Sequence, residues 1–402
     1  MIFSLVIAFF LGLFIGCFTG LIPGIHINLV GSILLSGVIF SPEIFSSYQV
    51  IVFVVSLSIA HTFLDGIPGI FLGCPNDDSS VSIIPGHHFL LKGEGFSASV
   101  YFLQGCVFGL LCFVLIALPL FFVIPKIYLY LSPVMWLVLI SSSLFLIFSQ
   151  GKWFFAFFVF LLSGFLGFSS LNLGLSEPLL PLLGGLFGGS SIIFSLFEDN
   201  FVPKQTIVGL DKFFGFSWDS FVKHFEILLI SSPLVSFLPG LGSGQAAVIG
   251  SSFIDDNRED FMRLIGGVNV LVLGLSFVAI AAISKARTGA AAVILSLVPS
   301  FSLNDIYVVL FVSLIAGIIC FFVGIFVSKK ISSIISVVNY KLVSLLVLAL
   351  IVFLVLFFCG FLGLLVFSVS SLLGLLTISL GVRRTNLMGC LLIPTIIFYL
   401  PF

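Results

Sequence analysis

Apolar runs recur along this chain from end to end, as at 1–22, 98–124, 304–328 and 342–380. Each matches or exceeds the roughly 20 residues that cross a bilayer as helix. Hydrophobicity breaks near 41–48, 73–97, 124–127, 150–153, 172–178, 198–223, 255–263, 285–289, 329–341 and 381–385. The pattern predicts an all-α polytopic membrane protein with roughly 12–14 transmembrane segments. It does not suit a β-barrel, whose strands alternate apolar and polar residues over only about ten positions. The longest polar stretch, 198–226, reads as an aqueous loop, with Trp218 on a short amphipathic helix. It separates a first membrane repeat (1–125) and linking helices (126–221) from a second repeat (222–330) and C-terminal helices (331–402).

Two interruptions echo one another: "LIPGIHINLVGSILL" at 21–35 and "FLPGLGSGQAAVIGSS" at 237–252. Proline lacks an N–H and disrupts the helix ahead of it, while glycine tolerates unusual backbone angles. Together they free N–H and C=O groups, which the bilayer tolerates only against protein or a wet cavity. A helix starting after such a break aims its positive end at that cavity and suits a carboxylate or phosphate. Pro23, Gly24, His26 and Asn28 in the first copy, and Pro239, Gly240, Gly242, Ser243 and Gln245 in the second, are therefore candidate anion-binding residues. A second interruption follows each copy, at 66–95 and at 283–294. Matched breaks predict two inverted-topology repeats with broken or re-entrant helices and a site near the midplane. The competing reading is glycine-mediated helix packing.

Composition supports the membrane assignment. Hydrophobic residues make up 60% of the 402 positions and charged residues 8%, against about a quarter charged in soluble domains; the mean hydropathy is +1.37. The first basic residue is Lys92, so 1–22 lacks the basic start of a secretory signal and is expected to be a retained helix. Lys92, Lys152, Lys204, Lys212, Lys223, Arg258, Arg263, Lys329, Lys330, Lys341, Arg383 and Arg384 fall on one side of the predicted bilayer, and only Lys126 in a loop on the other. That bias places the twelve in the cytoplasm. The net charge of −1 and the absence of a basic patch give no reason to expect a nucleic-acid partner. The seven cysteines form no Cys-x-x-Cys pair and are expected to pack rather than to bind metal.

The remaining polar residues in apolar context are few. Asp65, Asp77 and Asp78 suit Na⁺ or proton coupling, with Asn76 and Ser79 beside them; Asp77 and Asp78 equally suit a helix cap. Lys285 and Arg287, followed by Thr288, could neutralise a carboxylate, or anchor a helix end at the interface. Asn269 suits a site ligand or an interhelical hydrogen bond. A buried hydrogen-bonded role is expected for His61 ahead of a proton relay, and His87 and His88 are expected in water. His-Glu-x-x-His, Gly-x-Gly-Asp and G-x-x-x-x-G-K-[ST] are all absent; no catalytic residue, metal ligand or cofactor is expected.

The chain resembles the large membrane permease subunit of the tripartite tricarboxylate transporters. Pro23–His26 and Pro239–Gly242 match that family's Pro-Gly motifs, "CPNDDSSVSIIPGHHFLLKGEGFSAS" at 74–99 has the layout of its later glycine-rich segment, and "ARTGAAA" at 286–292 falls where it has a Pro-Gly run. The chain departs from the pattern in its length and in the Lys-Ala-Arg-Thr-Gly stretch at 285–289. The resemblance implies a multi-pass protein of the cell membrane and a secondary transporter for a small organic anion such as a di- or tricarboxylate. It further implies Na⁺ or H⁺ coupling, a small membrane subunit and an extracytoplasmic binding protein as partners; a homodimer stays open. The alternatives are a membrane scaffold or assembly protein and an intramembrane enzyme.

Overall fold

The computed structural model describes residues 2–22, 46–72, 83–197, 202–213, 218–237, 243–251, 253, 257–298 and 300–401. Among them all regular structure is helical. In chain order the helices are α1 (Ile2–Gly20), α2 (Ser47–Leu64), α3 (Gly66–Leu72), α4 (Ile83–Leu91), α5 (Gly95–Leu131), α6 (Met135–Phe148), α7 (Trp153–Leu171), α8 (Leu179–Phe197, with a π-turn over Gly184–Gly189), α9 (Trp218–Phe237), α10 (Ser243–Ser251), α11 (Arg258–Ile283), α12 (Gly289–Leu297), α13 (Leu303–Ile334), α14 (Tyr340–Leu380) and α15 (Gly389–Tyr399).

Eight stretches among the described residues are long and apolar enough to cross a membrane, so this is a multi-pass membrane protein. Two are composite. Gly95–Phe148 is interrupted by a tight turn at Ser132–Val134, and α14 breaks at Gly360, whose φ of 62° is left-handed. Counting these as two rods each, and adding α9 and α15, gives twelve helical rods among the described residues. The π-turn in α8 is held by Arg384, whose guanidinium donates to the carbonyls of Leu186 (3.0 Å) and Phe187 (2.6 Å) and to Ser190 Oγ (2.7 Å).

Two helical columns form the centre. The apolar window of Ser47–Leu72 (α2 with α3) is 100% buried and that of α11 is 89% buried, whereas α1 is 17% buried and turns its Phe and Ile side chains outward. A helix apolar on every face belongs inside. Small residues let neighbours close on these columns: Gly16 of α1 sits against Leu57 and Ala60 of α2, and Gly105 of α5 against the Arg263 carbonyl of α11. A side chain at either glycine would force the helices apart.

The contacts also fix directions. Gly12, Gly16 and Gly20 of α1 follow Ser56, Leu57 and His61 of α2 in order, so α1 and α2 run parallel. His224 and Leu228 of α9 follow Asp260 and Gly267 of α11 in the same way. Gly105 and Gly109 of α5 meet Arg263 and Gly267, making α5 parallel to α11. Gly317 and Gly324 of α13 meet Leu110 and Leu103, so α13 is antiparallel to α5. The Phe102 ring covers Gly66, while Phe63 and Leu110 meet together at Gly317, so α2 is antiparallel to α5 as well. The series α1–α2–α5 thus matches α9–α11–α13 in order and opposes it in direction, as the paired motifs predict. The halves interlock: α5 of the first packs most extensively on α11 of the second, and α13 of the second packs on α2 of the first.

Among the described helices, α4, α10 and α12 are far too short to cross. They have nine residues each, about 14 Å of helix against a hydrocarbon core of ~30 Å. α4 packs on α3, α5 and α11; α10 on α9 and α11; α12 on α2 and α11. These are the broken or re-entrant segments that the sequence pattern calls for, buried against the central columns where bare helix ends are tolerated.

Candidate functional site

Pro23, Gly24, His26, Asn28, Asn76, Asp77, Asp78, Ser79, Pro239, Gly240 and Gly242 lie outside the described residues. Of the other expected site residues, Gln245 lies within α10, and Ser243, buried, opens that helix. Lys285, Arg287 and Thr288 follow α11, Asn269 lies within α11, and Asp65 joins α2 to α3.

Lys285 and Arg287 do come together. α11 ends at Ser284, the only non-glycine residue with positive φ among those described (52°), and the chain turns there into a short extended link. Both basic residues line a cavity of about 90 Å³ with Tyr128 of α5, Ser236 of α9, Ala279 and Ile283 of α11, and Tyr399 of α15. Since a water occupies ~30 Å³ of liquid, the cavity has room for a single carboxylate group with little else. Burial lowers the Arg287 pKa to about 10, with the tyrosines Tyr399 and Tyr128 opposing the fall, so the guanidinium stays cationic at neutral pH. Thr288 caps the next helix: its Oγ1 accepts the Ala291 N–H at 3.2 Å and lies 3.0 Å from Ser276 Oγ. The N-terminus of α12 therefore already spends one free N–H on its own cap.

The other expected residues lie elsewhere. Asn269 precedes Lys285 by 16 positions, about 24 Å along a helix, near the middle of α11. Its side-chain nitrogen and oxygen are both buried without a hydrogen-bond partner among the described residues; an interhelical hydrogen bond at this position is not what the structure shows. Asp65 is buried on α2's final turn. One turn earlier, the buried His61 accepts or donates a 3.0 Å hydrogen bond between its Nδ1 and Thr19 Oγ1 of α1, the structural bond expected for it. The Phe102–Cys106 stretch of α5 separates the columns: the Phe102 ring lies on Gly66 of α3, and the Phe102 carbonyl on Gly266 of α11. The structure therefore places Asp65 at the end of α2, Asn269 near the middle of α11, and Lys285 and Arg287 at a cavity at the end of α11.

A third cluster was not anticipated from the sequence. Arg263, counted there among the aqueous-side cations, is buried. It donates to Asp260 Oδ1 at 2.7 Å and Gln104 Oε1 at 3.1 Å, and stacks 4.5 Å from the Tyr101 ring centroid. Gln104 Nε2 in turn donates to the Phe213 carbonyl at 2.7 Å. His224 Nε2 of α9 lies 3.3 Å from Asp260 Oδ1. The network ties α5, α9, α11 and the 202–213 loop together at the end opposite the Arg287 cavity. Nearby, Gln205 accepts the Gly95 N–H at 2.8 Å and donates to the Leu90 carbonyl at 3.0 Å, holding the Lys92–Gly93–Glu94 turn; Gly93 has φ 79°. His88, expected in water, is half-buried. Desolvation first, then the cations Arg258 and Lys92, hold its pKa below the ordinary value.

Comparison with known proteins adds an independent line. Residues 6–389 match the model of the tripartite tricarboxylate transporter TctA family. The chain is similar to an uncharacterised protein of Methanocaldococcus jannaschii, 28% identical over 97% of this chain and 98% of the relative. No solved structure matches it.

Proposed function

Because the chain belongs to the tripartite tricarboxylate transporter TctA family, we propose that it is a membrane permease moving a small organic anion, such as a di- or tricarboxylate, by secondary transport coupled to Na⁺ or H⁺. The observation that carries the site assignment is the cavity at the end of α11, where Lys285 and Arg287 converge with Tyr128, Tyr399 and Ser236. A guanidinium presents a planar fork to a carboxylate, and tyrosine hydroxyls donate to the same oxygens. The cavity's small size suits capture of one carboxylate of the anion. The Pro-Gly motifs at Pro23–Asn28 and Pro239–Gln245 are the proposed source of further N–H donors for the anion, and Asp65, with Asp77 and Asp78, is the proposed cation-coupling group. The family's other components, a small membrane subunit and an extracytoplasmic binding protein, are the proposed partners, and the cell membrane is the proposed location.

Thermal unfolding of the purified protein with citrate, succinate or acetate tests the site. Ligand at about 100 times its Kd stabilises the folded state by ~2.7 kcal/mol. Citrate or succinate should raise the Tm of the wild type and not that of Arg287→Met. A scaffold protein would show no carboxylate-dependent shift, and an equal shift in both proteins would remove Arg287 from the site.

A further inference from the structure

Asn269, near the middle of α11, is only 5% exposed, and neither the nitrogen nor the oxygen of its carboxamide is hydrogen-bonded among the described residues. An unpaired buried amide is costly to keep and calls for an explanation. Its level in the fold is specific. Gly109 of α5 meets Gly267, two positions before Asn269, and the adjoining Leu110 meets Gly317 of α13 together with Phe63 of α2. Asn269 therefore sits where helices of both halves pack on one another, the place where transporters built from inverted repeats bind their cargo. Its direction follows from helical spacing. Arg263 and Gly267 face α5, and Leu264 faces Gly250 of α10. Seven residues make about two turns, so Asn269 shares a different face with Ser276, whose Oγ lies 3.0 Å from Thr288 Oγ1 at the start of α12. Ile283, a further two turns along that face, lines the Lys285–Arg287 cavity. Ile265 and Leu273, one turn to either side of Asn269, are buried and apolar.

The groups this amide lacks define the ligand it suits. Its oxygen needs a donor and its nitrogen an acceptor. A bare cation would satisfy the oxygen alone, and a lone carboxylate the nitrogen alone. A carboxylate with a hydroxyl on the neighbouring carbon satisfies both: the hydroxyl donates to Oδ1, and a carboxylate oxygen accepts from Nδ2. We propose that Asn269 is a specificity-determining residue that reads the hydroxyl of a 2-hydroxy acid, which reaches it from the Arg287 cavity along the Ser276 face of α11. A site built to pair a hydroxyl rejects the analogue that lacks one, because the amide is then left unpaired in apolar surroundings. The inference rests on the transport reading and narrows the cargo from carboxylates in general to hydroxylated ones.

Isothermal titration of the purified protein with malate against succinate, and with citrate against tricarballylate, tests the assignment, since the members of each pair differ by that hydroxyl. Wild type should bind the hydroxy acid about tenfold or more tightly in each pair. Asn269→Leu should bring the members of each pair close to equal affinity, and Asn269→Val gives the same readout if the leucine variant does not fold. Arg287→Met, which removes the entry contact, should retain the preference for the hydroxy acid. Three results would count against the account in different ways. If wild type binds none of the four acids, the transport reading fails and this inference falls with it. If it binds them without preferring the hydroxylated member, the inference alone fails. If the preference survives in Asn269→Leu or Asn269→Val, the amide holds ordered water only, and the hydroxyl is read elsewhere.

Discussion

The two central helices, α2 and α11, hold equivalent places in opposed halves, yet they carry their charge in opposite ways. α11 begins with an acid–base network that it largely completes itself: Arg263 bonds Asp260 three residues away, and α5 and α9 add Gln104 and His224. It ends in cations, Lys285 and Arg287, at a cavity. α2 ends instead in an imidazole and a carboxylate, His61 and Asp65, which interact with the Thr19 hydroxyl and the Cys106 thiol among others. Because the halves run in opposite directions, these two C-terminal ends point toward opposite ends of the bundle. The compensated network is a structural tie. Ionisable groups at the ends of buried helices are costly to keep, and such costs collect where function requires them. The difference separates charges that hold the fold from those we propose to serve the cargo.

The comparison can be broken most severely at its packing. Gly105→Leu places a side chain against the Arg263 carbonyl of α11 and is expected to abolish the monodisperse peak on size-exclusion chromatography; an unchanged peak would mean that α5 and α11 do not approach as described. Next is the network. Arg263→Met removes the buried guanidinium from the half-buried Asp260, which keeps His224 at 3.3 Å; losing one member of a fully buried pair costs ~3–5 kcal/mol, and the partial exposure of Asp260 makes the loss here smaller. The Tm should fall, and the double variant Arg263→Met/Asp260→Leu should regain part of the loss. If Arg263 were one more aqueous cation, as its place in the sequence suggested, neither change would exceed the few tenths typical of exposed sites.

Asn269→Leu works in the opposite direction. A buried amide without partners costs ~1–3 kcal/mol, so leucine should raise the Tm by a few degrees while lowering carboxylate uptake. A loss of stability would show that Asn269 is structural. The smallest expected effect is that of Thr288→Ala, which removes the α12 cap. It should cost ~1 kcal/mol and leave the Asp260–Arg263 end untouched, as read by unfolding in denaturant.

Much of this was legible in the sequence because membrane helices are written in long apolar runs. The two halves were visible through their Pro-Gly motifs, and the short helices α4, α10 and α12 through glycine and polar interruptions. Lys285 and Arg287 stood out as ionisable residues next to an apolar run, and the structure brings them to one cavity. Their partners were not legible. Tyr128 precedes Arg287 by more than 150 positions and Tyr399 follows it by more than 100, so helix packing alone makes them neighbours. The same holds for Gln104 and Arg263, 159 residues apart. A positive-inside tally counts each arginine as solvated and has no means of seeing that one is buried. The weakest inference concerned depth: residues grouped by chemistry into a single midplane site are divided by some 24 Å of helix, because the end of α11 lies far from its middle.

The central claim is that the cations at the end of α11 receive a carboxylate that the protein carries across the membrane. The most direct test is initial-rate uptake of radiolabelled citrate or succinate by proteoliposomes containing wild type or Arg287→Met, matched for folded protein by size-exclusion profile. The account predicts saturable uptake by the wild type and a loss of about tenfold or more in the variant, equivalent to at least ~1.4 kcal/mol of lost binding. Equal uptake by the two proteins would contradict it.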